Sequence, residues 1–109
     1  GRSREAYVSR EALASELSVL LALGARRALL ELGELLRITT SDPPSECAVE
    51  ARMQGESPGA VALDLRYLAD AVDAMRDDEI VLALSGGTLE PVVVEDRDGM
   101  AVVMPRRGD

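Results

Sequence analysis

A chain of 109 residues with a formal charge of −8 has room for one compact domain. Hydrophobic residues make up 47% and aromatic ones only 2%, so the expected core is built from Leu, Val, Ala and Met. With no His and a single Cys, the chain lacks Ser–His and Cys–His nucleophile pairs, His-ligated metals, Cys-rich zinc sites and intrachain disulfides.

Residues 1–6 are polar, and Tyr7-Val8 reads as a strand leading into a helix over about 10–23. Ser9 is its expected N-cap, and Glu11 places an acid in the first turn, where the helix dipole favours it. Leu13, Leu17, Leu20 and Leu21 follow at helical spacing until Gly24 stops the run. Ala14, Val19 and Leu23 fall off that stripe, so this helix is expected to be covered on more than one side. Two short apolar runs, Ala28–Leu32 and Leu35–Thr40, flank a hairpin turn at Gly33-Glu34. A loop at 41–45 precedes Cys47–Met53, whose alternation predicts one half-exposed strand. Residues 54–59 form a second loop.

The pattern then repeats. Ala60–Leu63 is a short strand, and Asp64 or a near neighbour starts a helix to about Met75. Ile80–Leu84, Pro91–Glu95 and Met100–Met104 are strands, with turns at Ser85–Thr88 and Asp96–Gly99. The order βαβββ, read twice, predicts an α+β domain over residues 1–109. Two antiparallel sheets would have two helices packed together on one side, with pseudo-twofold symmetry.

Little in this pattern supports catalysis, and no cofactor or metal is expected. The pairs Asp77/Asp78 and Glu95/Asp96 sit at turns without a partner nucleophile and read as solvated turn residues. Ser85–Thr88 lacks the Lys and the following helix of a phosphate loop. Cys47 lies between Glu46 and Glu50, the wrong charge for a reactive thiol, and reads as a small apolar residue in a reducing compartment. Arg26-Arg27 and Arg106-Arg107 are too small for nucleic-acid patches and read as polar strand ends, and Arg107-Gly108-Asp109 reads as a chance match to an adhesion tripeptide. No apolar run reaches the ~18 residues of a membrane span, and residues 1–10 are charged. A cytoplasmic location without membrane contact is expected.

The second half carries a resemblance. Leu65-Arg66-Tyr67-Leu68-Ala69-Asp70-Ala71, Asp78-Glu79-Ile80, Pro91-Val92 and Val102-Val103-Met104-Pro105 followed by Arg107 resemble the C-terminal domain of the bacterial sliding clamp. That clamp is the β subunit of DNA polymerase III. Val8-Ser9-Arg10-Glu11 resembles, more loosely, the opening of the family's first helix. The resemblance implies a non-enzymatic ring segment that confers polymerase processivity and docks partner peptides. By position, it implies a pocket at Leu89, Pro91, Val102, Met104 and Pro105, with Tyr67 and Asp64 at its edge and Arg106 and Arg107 at its mouth. It also implies a ring-closing contact near Ala22 and Leu23, to which Val19 adds, and DNA-facing positions at Arg10, Arg66 and Arg76. Protein partners and an oligomer are therefore expected, with DNA reached only through a larger assembly.

The sequence also departs from the family. Gly108 and Asp109 replace its terminal Leu, and Arg106 stands where an apolar residue is usual. Ala14, Val19 and Asp73 occupy helix faces that would meet DNA phosphates. A second reading follows: a clamp-type domain reused as an interaction or oligomerisation module of another bacterial protein, such as a MerR-type helix-turn-helix transcription regulator.

Overall fold

The computed structural model describes residues 3–56, 60–85 and 90–106. β1 (Ser3–Ser9) passes directly into α1 (Arg10–Ala22). Ser9 permits this because its backbone is still extended while its hydroxyl accepts the Ala12 N–H at 3.1 Å. Leu23 closes the helix, and Gly24 turns the chain away at φ +94°. β2 (Arg27–Leu32) and β3 (Leu36–Ser41) form a hairpin, followed by β4 (Pro44–Val49), β5 (Ala51–Gly55) and β6 (Ala60–Asp64). α2 (Leu65–Asp73), β7 (Glu79–Ser85), β8 (Val92–Glu95) and β9 (Met100–Val103) complete the described elements. The expected turn at Ser85–Thr88 lies largely outside the described residues.

The strands form two antiparallel sheets, one in the order β5-β1-β7-β8-β9 and the other β4-β3-β2-β6. The two repeats are β1-α1-β2-β3-β4 and β6-α2-β7-β8-β9. Each gives its first strand to the other's sheet: Val8 pairs with Ile80, and Leu63 with Ala28. β5 belongs to neither repeat and covers the outer edge of β1.

Both sheets turn one face toward the helices, which pack against each other. Leu13, Leu17 and Leu20 of α1 and Leu65, Leu68 and Val72 of α2 are buried there with Leu30, Ile38, Ile80 and Leu82 from the strands. The core is aliphatic, as the composition requires. Val19 and Leu23 are instead 55% and 54% exposed, so the expected second cover of α1 is not supplied by this chain's described residues.

Several boundaries differ from the sequence expectation: β1 already begins at Ser3, β4 begins at Pro44 inside the loop expected over 41–45, and β5 runs to Gly55, into the loop expected over 54–59. The strand expected over Cys47–Met53 divides at Glu50, with β4 in one sheet and β5 in the other. Alternation could not reveal this, because Cys47, Val49, Ala51 and Met53 stay on the inward side through the break. β3 begins at Leu36 because Leu35 lies in the turn, where its carbonyl accepts the Gly33 N–H at 3.1 Å. α2 ends at Asp73, yet Met75 beyond it remains buried.

Polar side chains join the pieces. The Arg4 guanidinium donates to the carbonyls of Leu32 at 3.0 Å, Gly33 at 2.9 Å and Gly55 at 2.7 Å, tying the β2–β3 turn of one sheet to β1 and β5 of the other. Gly55 has φ +86°, and a Cβ there would lie 2.1 Å from the Ser3 carbonyl oxygen. Asp77 and Asp96 do occupy turns, but they are bonded there rather than simply solvated. Asp77 pairs with Arg97 at 3.0 Å. The Asp96 carboxylate accepts the backbone N–H groups of Arg76, Asp77, Asp98 and Gly99 at 2.7–3.1 Å. These donors, Arg76 and Asp77 foremost, lower the Asp96 pKa to about 2 despite opposing desolvation.

Leu68→Ala should cost about 2–5 kcal/mol in a urea titration, whereas Val19→Ala should stay within about 0.5 kcal/mol. Asp96 should titrate near pH 2 by carboxyl NMR. Because folding lowers its pKa, its stabilisation is complete above the ordinary carboxylate pKa and disappears as pH falls through about 2. Asp96→Ala should remove that component of the acid dependence.

Candidate partner-docking seam

After β9 the chain leaves its sheet and crosses to the open edge of β6, where the Arg106 N–H donates to the Ala62 carbonyl at 2.7 Å. This segment, Met104-Pro105-Arg106, makes a seam between the two sheets. Asp64 lies beneath it and is 2% exposed. Its carboxylate caps α2 by accepting the Arg66 N–H at 2.9 Å. It also accepts Arg66 Nε at 3.1 Å, Arg66 Nη2 at 2.8 Å and Arg106 Nη1 at 3.4 Å. The Arg66 side chain holds the Asp64 carboxyl below the usual carboxylate range, against the opposing effect of burial.

Two apolar members of the predicted pocket, Val102 and Met104, lie on the surface. Strand alternation buries Val103 and turns Val102 and Met104 outward, leaving them 53% and 64% exposed. These two side chains are therefore not part of the core. Val92 pairs with Val103, which brings half-buried Pro91 and exposed Met104 to the same end of the β8–β9 ladder. Pro105 is half-buried. Tyr67 is exposed on the first turn of α2, with the Arg66 guanidinium 5.9 Å from its ring centroid. The structure thus gathers Asp64, Arg66 and Arg106 around one carboxylate, while Pro91, Val102 and Met104 share the neighbouring end of the other sheet. Leu89 and Arg107 lie outside the described residues.

The remaining predicted positions form separate groups. Val19, Ala22 and Leu23 share an exposed end of α1. Arg10 is half-buried and uses its Nε on the Asp77 carbonyl at 3.0 Å. Arg66 is committed to Asp64, and Arg76 is exposed beyond α2. Along the two helices, Glu11, Glu16, Asp70 and Asp73 outnumber Arg10 and Arg66. Among the described residues, no group of three His, Cys, Asp or Glu side chains has metal-binding geometry. The Cys47 thiol is pushed up to about 11, first by burial and then by Glu16 and Glu46.

One constellation escaped the sequence reading. Arg26 and Arg27 meet Arg106, Gly24, Ser41 and Asp42 around a recess of about 350 Å³. The arginine pairs were visible, but only the fold brings residues 26, 27 and 106 together.

Two helices backed by two antiparallel sheets, in twofold repetition, make the fold of a DNA-clamp domain. In particular, the fold is that of one domain of the bacterial DNA polymerase III β subunit. The Thermotoga maritima β subunit matches with a TM-score of 0.82 and 21% identity over 97% of this chain and 31% of that one. The Bartonella birtlesii sliding clamp bound to griselimycin matches at 0.83 and 23% identity, over 96% and 30% respectively. The Bacillus subtilis clamp matches at 0.83 and 17% identity, over 100% and 32%. The chain thus spans about a third of the length of these proteins, and the likeness is one of fold. No family model matches the sequence, and no curated protein matches it.

Asp64→Ala should lower stability at pH 7 by about 1–2 kcal/mol through loss of the helix cap, measured by chemical denaturation. The native carboxylate has a lowered pKa, so its contribution is present above the ordinary Asp pKa and is lost as pH falls. The variant should therefore show a shallower loss of stability below about pH 4.

Proposed function

We propose that this chain is a non-enzymatic clamp-type domain acting as one segment of a larger ring, which confers polymerase processivity and docks partner peptides. The observation that carries this reading is the pair of outward-facing side chains Val102 and Met104 at the end of β9, beside the seam held by Asp64 and Arg106. A flexible Met and a short aliphatic side chain make an adaptable apolar surface, and an arginine can hold a peptide carbonyl or carboxylate. Leu89, Pro91, Pro105, Tyr67 and Arg107 would complete the slot. Val19, Ala22 and Leu23 would supply a contact between subunits, and DNA would be reached only through the assembled ring.

A second reading is favoured by one observation: acidic residues outnumber arginines on the helices that would face DNA. Phosphate binding depends on local positive charge. A clamp-type domain reused as an interaction or oligomerisation module, for example in a helix-turn-helix regulator, has no such requirement. The two readings separate on the coding sequence upstream of Gly1. Two further clamp-type domains support the ring, and a DNA-binding helix-turn-helix supports the reused module.

A peptide ending in Gln-Leu-Ser-Leu-Phe, titrated into the labelled chain, should shift the amides of Val102, Met104 and Arg106. Met104→Ser should weaken that binding several-fold. Absence of shifts at millimolar peptide would remove the docking slot.

A further inference from the structure

The arginine recess lies at the end of the four-stranded sheet, where β2 begins, β3 ends and the segment after β9 crosses β6. It draws three of the chain's twelve basic residues to one place in a chain of net charge −8. Arg26 is exposed; its carbonyl accepts the Leu65 N–H at 2.7 Å, and its side chain donates from Nη1 to the adjacent Ala25 carbonyl at 3.2 Å. Arg106 reaches Asp64 with Nη1 at 3.4 Å, a long contact. A guanidinium carries five N–H donors, so both side chains retain donors beyond these bonds. Among the described residues, Asp42 is the acid in the lining, with the buried Asp64 behind Arg106 and shared with Arg66. Among the described residues the arginines exceed the acids, and a concave surface concentrates such a field.

A second groove of about 320 Å³ adjoins the recess on the outer face of the same sheet. It shares Arg27 and Ser41 with the recess and is otherwise lined by Ala28, Leu29, Thr39, Thr40 and Ala62. Leu29 is partly exposed there, beside small side chains that leave room for a visitor. An anionic group followed by an aliphatic one would fit the two grooves in succession. Among the described residues, neither groove has an aromatic lining residue on which a nucleic-acid base could stack.

We propose that this sheet end docks an acidic peptide segment of a protein partner, its carboxylate held between Arg26 and Arg106 and a neighbouring aliphatic side chain resting on Leu29 and Ala62. Arginine forks suit carboxylates, and the outer groove gives the peptide direction. This surface adjoins the slot at Val102 and Met104 and shares Arg106 with it, but Arg26, Leu29 and Ala62 belong to it alone.

The test is a titration of the ¹⁵N-labelled chain with the blocked peptide Leu-Asp-Glu-Leu, its Leu-Asn-Gln-Leu counterpart and inorganic phosphate. The acidic peptide should shift the amides of Gly24, Ala28, Leu29 and Ser41, and bind less tightly as salt rises. The amide counterpart should bind at least tenfold more weakly. Arg26→Ala should weaken the acidic peptide at least tenfold; because Arg26 is exposed, this variant should keep the native spectrum. Arg106→Ala should act likewise, while Met104→Ser leaves this binding unchanged. Equal binding of both peptides, or shifts at Val102 and Met104 instead, would overturn the proposal. Equal shifts with phosphate alone would also overturn it, marking a phosphate site rather than a peptide-docking surface.

Discussion

β1 hydrogen-bonds to β7 and β6 to β2, so the strand leading into each helix is anchored in the other repeat's sheet. Neither repeat can complete its sheet without the other. The helices that these two strands lead into, α1 and α2, pack against each other. Burial of one face of each helix against the sheets then follows from the positions of Leu13, Leu17, Leu65 and Leu68. Because β6 is the last strand of its sheet, its free edge requires a cover, and the Arg106 N–H supplies one bond of it. The candidate docking seam is therefore a product of the exchange.

The parts legible from sequence are those governed by neighbours along the chain. Ser9 could be read as a cap, and the start of α2 placed at or near Asp64, because a short polar side chain reaches backbone donors two or three residues ahead. Leucine spacing identified the helices, and repetition of βαβββ identified the architecture. The division at Glu50 was hidden because the two strands keep the same inward phase while changing partners. The early end of α2 was hidden for a related reason: Met75 remains in the core after the helix has stopped. Periodicity records which side is apolar, not which strand lies alongside.

The candidate site divides in the same way. Its residue types were legible through a resemblance to clamp sequences, but their exposure was not. Val102 and Met104 could have been core residues until the register put Val103 inward and left them outside. Asp64 was expected at a pocket edge and lies under the seam, where Arg66 and Arg106 compensate its burial. Arg26 and Arg106 are 80 positions apart, and nothing local in either pair announces the other. The chain's acidity is thus compatible with a basic recess, because net charge carries no information about where the charges meet.

Gly55 bears on how this protein can drift through evolution. A side chain there would drive its first carbon into the Ser3 carbonyl, and no choice of rotamer moves that atom aside. Descendants that retain the β1–β5 pairing are confined to glycine at this position, while exposed positions such as Arg26 and Val102 are free to follow a changing partner. Lineages could therefore lose every recognisable docking residue and still carry this one backbone constraint as a record of common architecture.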